Sequence, residues 1–164
     1  MPHPDHKIEI ADEQSLPIDS DPLITVVHQI LKDHAISKSE ISIAIVDDPT
    51  IRSFNKQYLE HDYETDVISF VLDRDENIGS LSGQLIVSTD TAARMAHEVG
   101  GTAEDELLLY VVHGTLHLVG YDDKHESDAQ EMRDAEKRYL QSMGIEHRWK
   151  DFESDSGLNE REGS

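Results

Sequence analysis

The stretch that decides the fold is DELLLYVVHGTLHLVGYDD, residues 105–123. Between positions 107 and 118 its apolar side chains would lie on nearly all sides of a helix. A helix that is apolar all round is buried inside a domain. Gly120 is placed to end the helix, because glycine readily takes the left-handed conformation found after many helix C-termini. The stretch therefore predicts a central buried helix that begins near Thr102 and Asp105.

Shorter segments on both sides predict the elements that pack around this helix. Alternating or continuous apolar residues predict strands at 8–10, 41–46, 67–72 and 85–87. Apolar spacings of three and four residues, with capping residues before them, predict helices near 21–34, 48–58, 91–99 and 127–143. A polar, hairpin-like loop is expected at 73–82. This order of elements predicts a small α/β or α+β domain with one sheet against several helices.

Composition excludes several classes of protein. The chain has 164 residues, of which 37% are apolar and 30% charged, enough for one globular domain of ordinary core size. No apolar run is long enough for a transmembrane helix, and the first ten residues contain no apolar signal core, so we expect a cytoplasmic protein without membrane contact. There are no cysteines, which excludes disulfide scaffolds, thiolate zinc sites and cysteine nucleophiles.

Charge and composition also change along the chain. Residues 1–7 are expected to be a flexible N-terminus, 8–148 a single metallohydrolase-like domain, and 149–164 an acidic, disordered tail. The net charge is −21 with histidine neutral, and such a surface repels polyanions. Indiscriminate nucleic-acid binding is therefore not expected, and neither is DNA binding. The negative net charge does not exclude a local nucleic-acid site where a metal ion supplies positive charge.

Two histidines in the central helix predict a metal site. His113 and His117 are four residues apart, so both imidazoles project from one helix face and can share an ion. The reversal at Gly120 can bring Asp123 back toward them. Two histidines at this spacing are more often structural than metal-binding. In an apolar helix, however, two imidazoles without a partner would lower the stability of the fold, because burial of an unpaired polar group costs free energy. We therefore predict one Zn²⁺ held by His113, His117 and Asp123, with a fourth position open.

The ligand spacing also fits another class of enzyme. The pattern H-x-x-x-H-x-x-G-x-x-D matches the metal ligands of metzincin proteases, which need a glutamate directly after the first histidine as general base. This chain has Gly114 at that position. A peptidase of that class is therefore not favoured.

The segment HGTLHLVGYDD, residues 113–123, resembles the signature of the YbeY family, H-G-x-L-H-L-x-G-Y-D-H. A second stretch, from Asn55-x-x-Tyr58 through TDVISF at 65–70, is similar to that family's second motif. The resemblance covers roughly residues 8–145. It implies an α+β domain with one mostly parallel sheet of about four strands and about five helices. It also implies a zinc-dependent, single-strand-specific endoribonuclease that acts in ribosome quality control and in rRNA maturation, chiefly at the 3′ end of the small-subunit RNA.

The chain departs from the family pattern at three positions. Asp123 stands where the family usually has a third histidine, and aspartate is a competent zinc ligand. Leu59 stands where the family commonly has arginine, and Gln84 follows Gly83 where the family has a Gly-Asp pair. His125 is a further nitrogen that could replace or add to Asp123. The effect of Leu59 and Gln84 on activity stays open.

The motif itself identifies no catalytic side chain. Water on the metal, or the 2′-hydroxyl of the RNA, is the expected nucleophile, and Ser69 and Asp66 are candidates to support the site. Two alternatives stay open: a metallohydrolase of another substrate, and a non-catalytic ribosome-assembly factor with structural zinc. Because the chain is so acidic, the resemblance suggests that small-subunit ribosomal proteins or an assembly GTPase deliver the single-stranded rRNA.

Overall fold

The computed structural model describes residues 5–59, 67–121 and 125–145. Its helices and strands in chain order are β1 (His6–Asp12), α1 (Asp21–Asp33), β2 (Lys38–Val46), α2 (Asp48–Leu59), β3 (Val67–Asp75), β4 (Ser80–Ser88), α3 (Thr89–Val99), α4 (Ala103–Leu118) and α5 (Glu126–Ser142). No helix within these ranges is both long and apolar enough to cross a bilayer. The predicted tail and the first four residues lie outside the described residues.

The four strands form one mixed sheet in the order β1-β2-β4-β3. β1 pairs with β2 and β2 with β4 in parallel, whereas the hairpin partners β3 and β4 are antiparallel. Each parallel connection passes through a helix, as parallel strands require. The predicted α+β class is therefore confirmed, with four strands and five helices in the described part of the chain.

The sheet has an apolar layer on each face. The larger layer joins one face to α1, α4 and α5, and it includes Ile43 and Leu85 from the strands. The smaller layer lies on the other face, where Ile51 of α2 packs against Ile68 and Ile86. Successive strand residues point to opposite faces, which is why Leu85 and Ile86 belong to different layers.

Helix α4 is central because it contacts β3, β4, α1, α3 and α5. The Thr102 hydroxyl caps it by accepting a hydrogen bond from the Asp105 amide at 3.1 Å. Gly114 faces the sheet, and a Cβ there would lie 2.7 Å from a methyl carbon of Leu85. The missing side chain at this position lets the helix lie against the strands. Gly120, with φ of 114°, follows the helix in a left-handed conformation, as predicted.

Two boundaries differ from those predicted. β1 begins at His6, inside the predicted flexible N-terminus, because strand pairing with β2 starts at Ser39. The loop predicted at 73–82 is mostly strand, since β3 runs to Asp75 and β4 begins at Ser80. β3 is buried only at its start, and its second half is exposed, with Leu72 64% accessible. It is an edge strand, and no other strand among the described residues pairs with its outer side.

A hydrogen-bonded carboxylate ties α2 to α3. Asp48, the first residue of α2, accepts hydrogen bonds from the Ser88 and Thr91 hydroxyls at 2.6 and 2.8 Å, and it also pairs with Arg94. Burial raises the pKa of the Asp48 carboxyl, but these hydrogen bonds outweigh burial and hold the pKa below its ordinary value. This network fixes the corner where β4 ends and α3 begins.

Candidate metal centre

The two histidines of α4 bring one nitrogen each to a common point. His113 and His117 lie one turn apart, and their ring centroids are 4.7 Å apart with the planes at 80°. The Nε2 atoms of the two rings are separated by 3.1 Å. Both side chains are partly exposed. The predicted convergence of the two imidazoles is therefore present in the fold.

The other nitrogen of each ring is held by an acceptor. Nδ1 of His113 donates to Oε2 of Glu136 on α5, with the two atoms 2.5 Å apart. Nδ1 of His117 donates to the backbone carbonyl of Tyr121 at 3.1 Å. These two contacts fix the orientation of the rings.

These acceptors assign the tautomers. A backbone carbonyl and an ionised carboxylate can only accept, so Nδ1 carries the hydrogen in both rings. In neutral imidazoles the Nε2 atoms then present lone pairs, which face each other across 3.1 Å. Two lone pairs at this distance repel unless a proton or a metal cation lies between them. The arrangement is therefore suited to a shared cation.

The separation also fits the size of a zinc ion. Two nitrogen ligands of a tetrahedral zinc ion lie about 3.3 Å apart, given a Zn–N distance of about 2.0–2.1 Å. The observed 3.1 Å between the Nε2 atoms is close to this value. Metal-bound histidines usually donate their other ring N–H to a carboxylate or a backbone carbonyl. Glu136 and the Tyr121 carbonyl provide these two kinds of partner.

Glu136 contacts the histidine pair and was not among the residues predicted from sequence. It lies 23 positions after His113 in chain order and is only 6% exposed. The sequence carries a signal for it, because Glu136 interrupts a helical stripe formed by Met132, Ala135 and Tyr139, all buried. A carboxylate inside a buried stripe is rare unless it is paired. Its partner could not be identified from sequence alone.

The structure describes only one of three other residues predicted near the metal, which are Asp123, Asp66 and His125. Asp123, the predicted third ligand, and Asp66 lie outside the described residues. Within residues 5–59, 67–121 and 125–145, no three side chains of the metal-binding types are grouped closely enough to hold an ion. His125 therefore does not join His113 and His117 in the fold; it is exposed and precedes the first turn of α5.

Ser69 lies on the sheet face that α4 covers. It is half-buried in β3 and pairs in register with Leu85, a member of the larger apolar layer. Residues directly opposite in an antiparallel pair point to the same face. Gln84 pairs with Phe70 and so belongs to the other face, away from the histidines. Leu59 is the last residue of α2.

Gly114 adds a steric reason against a metzincin protease. Any side chain here would run into Leu85 and Val67, since a Cβ would lie 2.7 and 3.0 Å from their methyl groups. The general base of those proteases would need a glutamate at this position. In this fold the position faces the core, so a glutamate could not be accommodated without moving α4 from the sheet.

Comparison with known proteins identifies the family of this chain. The family model described as endoribonuclease YbeY matches residues 7–144. A protein of that name from Salinibacter ruber is 36% identical over 138 residues, covering 80% of this chain and 88% of its own. Another, from Syntrophotalea carbinolica, is 43% identical over 118 residues, covering 68% of this chain and 79% of its own.

The fold also has a counterpart among solved structures. A solution structure from Thermotoga maritima superposes with a TM-score of 0.60 at 27% sequence identity, covering 91% of this chain and 93% of the other. The residues that the family model matches, 7–144, span the described helices and strands from the second residue of β1 to the end of α5, and they include the histidine pair of α4. On these matches, the chain belongs to the endoribonuclease YbeY family.

Proposed function

We propose that this chain is a zinc-dependent endoribonuclease specific for single-stranded RNA. One Zn²⁺ would be held by His113, His117 and Asp123. The observation that carries the proposal is the 3.1 Å approach of two Nε2 atoms whose rings are fixed through Nδ1. The family description and the names of the relatives, all endoribonucleases, supply the reaction class.

The residues of the chain prepare the site before substrate binds. Glu136 keeps the hydrogen on Nδ1 of His113 and its negative charge makes that imidazole a better donor. The Tyr121 carbonyl does the same for His117 without a charge. When bound, a zinc ion lowers the pKa of a coordinated water and polarises a phosphoryl oxygen. A water molecule or the 2′-hydroxyl of the RNA would be the nucleophile.

The surroundings favour a catalytic over a structural ion. Structural zinc sites are closed by four protein ligands, whereas catalytic sites keep a position open. His125, the candidate fourth ligand, lies apart from the pair. The histidine side chains are also partly exposed, as access by a polymer requires. A ribosome-assembly factor with structural zinc is thus the weaker alternative.

The biological substrate follows from the family. We propose that the chain acts on rRNA, at the 3′ end of the small-subunit RNA, and takes part in ribosome quality control in the cytoplasm. With a net charge of −21, the chain offers little general attraction for RNA. Small-subunit ribosomal proteins or an assembly GTPase would therefore present the single-stranded segment to the site.

Removal and return of the metal test this function. We expect the chain to cleave single-stranded RNA, to lose cleavage in EDTA, and to regain it with one equivalent of zinc. A duplex of the same sequence should resist cleavage. Gel analysis of end-labelled RNA measures all three conditions. A chain that binds one zinc ion yet never cuts single-stranded RNA would favour the assembly factor and contradict the proposal.

A further inference from the structure

A β-bulge in β3 turns an arginine toward the candidate site. Val71 pairs with Gly83 and Asp73 pairs with Ser82, so Leu72 is an extra residue in this strand. Side chains alternate between the two faces of a strand, and one extra residue reverses the alternation beyond it. Arg74 consequently points to the same face as Val71, whereas an uninterrupted strand would direct it to the opposite face.

Two independent contacts locate the Arg74 side chain. Arg74 pairs in register with Leu81, so its side chain shares a sheet face with Leu81, which belongs to the apolar layer under α4. Its guanidinium also approaches Gly120, since a Cβ on that glycine would lie 3.7 Å from Nη1 and 3.9 Å from Nη2. The Gly120 amide in turn donates to the His117 carbonyl at 3.1 Å. Arg74 therefore lies beside the turn that follows the second histidine.

The α4-facing side chains of β3 form a row that runs toward this arginine. Val67 lies near Gly114, and Ser69, Val71 and Arg74 follow it along the strand on the same face. The row becomes more exposed along the strand, from 7% at Val67 to 50% at Val71. Its far end is thus accessible to a ligand from solvent.

The arginine is held only loosely by the protein. Nε of Arg74 lies 3.5 Å from Oε2 of Glu76, whose side chain is 78% exposed. An exposed pair at this distance contributes little and can exchange for a stronger partner. Phosphate is such a partner, because the planar guanidinium donates two parallel hydrogen bonds to its oxygens.

We propose that Arg74 binds a backbone phosphate of the RNA strand that occupies the histidine site. This inference rests on the proposed function and adds a substrate-positioning residue to it. One cation beside the site would offset part of the repulsion between RNA and so acidic a chain. The bulge at Leu72 is what places this cation on the correct face.

A residue exchange within β3 tests the proposal. The double variant Asp73→Arg/Arg74→Asp keeps the composition and net charge but moves the guanidinium to the other face of the strand. We expect this variant and Arg74→Ala to raise KM for single-stranded RNA roughly fivefold, with kcat within about twofold of the original chain. Arg52→Ala is the matched control, because Arg52 is exposed on α2, across the sheet from the histidines.

Binding without turnover gives a second readout. In EDTA, the anisotropy of a fluorescein-labelled single-stranded RNA measures Kd at several salt concentrations. Loss of one phosphate contact should weaken binding roughly fivefold and reduce the salt slope by about 0.7. Glu76→Ala, which removes the competing carboxylate, should tighten binding. Zinc content should not change in any of these variants.

The outcomes separate this inference from the proposed function. If the original chain cleaves RNA and the exchanged variant binds and cleaves with unchanged Kd and KM, Arg74 has no role in binding while the nuclease stands. If Arg52→Ala weakens binding as much as Arg74→Ala, the effect is one of net charge and the proposal is overturned. An original chain that neither binds nor cleaves RNA overturns both.

Discussion

Replacing His117 with alanine should abolish RNA cleavage and weaken zinc binding by more than about 100-fold. Loss of an outer partner of a metal ligand typically costs about 10–100-fold in metal affinity, so loss of a ligand should cost more. The remaining Nε2 of His113 would face an empty space where the second nitrogen now lies at 3.1 Å. We expect the same result for His113→Ala, and competition with a fluorescent zinc chelator measures both.

The control for these variants is His97→Ala. His97 is exposed in the last turn of α3, so its removal changes the histidine count without touching the pair. Circular dichroism melts in EDTA show whether each variant is folded. A folded His117→Ala protein that kept the zinc affinity of the original chain would refute the assignment of this histidine as a ligand.

Replacing Glu136 with alanine should lower zinc affinity by about 10–100-fold, although Glu136 does not itself face the ion. Nδ1 of His113 would lose its acceptor at 2.5 Å, and the ring would lose its fixed orientation and tautomer. Loss of a hydrogen bond to a charged group typically costs about 1.5–3 kcal/mol of folding stability. Glu136→Gln keeps a carbonyl acceptor but removes the charge. Its zinc affinity should therefore lie between that of the original chain and that of Glu136→Ala.

Two measurements separate positioning from simple packing. Glu131→Ala, on an exposed position of the same helix, should leave zinc affinity unchanged. Denaturant unfolding in EDTA reports the stability of the metal-free fold, and zinc titration reports the affinity. If Glu136→Ala loses stability but binds zinc as tightly as the original chain, Glu136 stabilises the α4–α5 contact only and does not orient His113.

Local patterns predicted those parts of the molecule that depend on residues near each other in sequence. The i, i+4 spacing of His113 and His117 placed both rings on one helix face, and the structure has them there. The apolar character of residues 107–118 predicted a buried helix, which lies between the sheet and α5. Capping by Thr102 and chain reversal at Gly120 follow the same local logic.

Contacts between distant residues could not be predicted in this way. Glu136 reaches His113 only because α5 packs across α4, and no spacing within α5 identifies that partner. The bulge at Leu72 depends on pairing with β4, so the face chosen by Arg74 is invisible in the sequence. Gly114 was interpreted as a missing general base; the structure adds a packing reason for the same residue.

Long-range ¹⁵N–¹H NMR correlation of the histidine rings observes the Nδ1 and Nε2 atoms of His113 and His117 directly. We predict that both rings carry hydrogen on Nδ1, and that one equivalent of zinc shifts both Nε2 resonances to the metal-bound range. His97 should not respond. Rings that keep hydrogen on Nε2, or Nε2 resonances that ignore zinc, would contradict a shared metal ion at this pair.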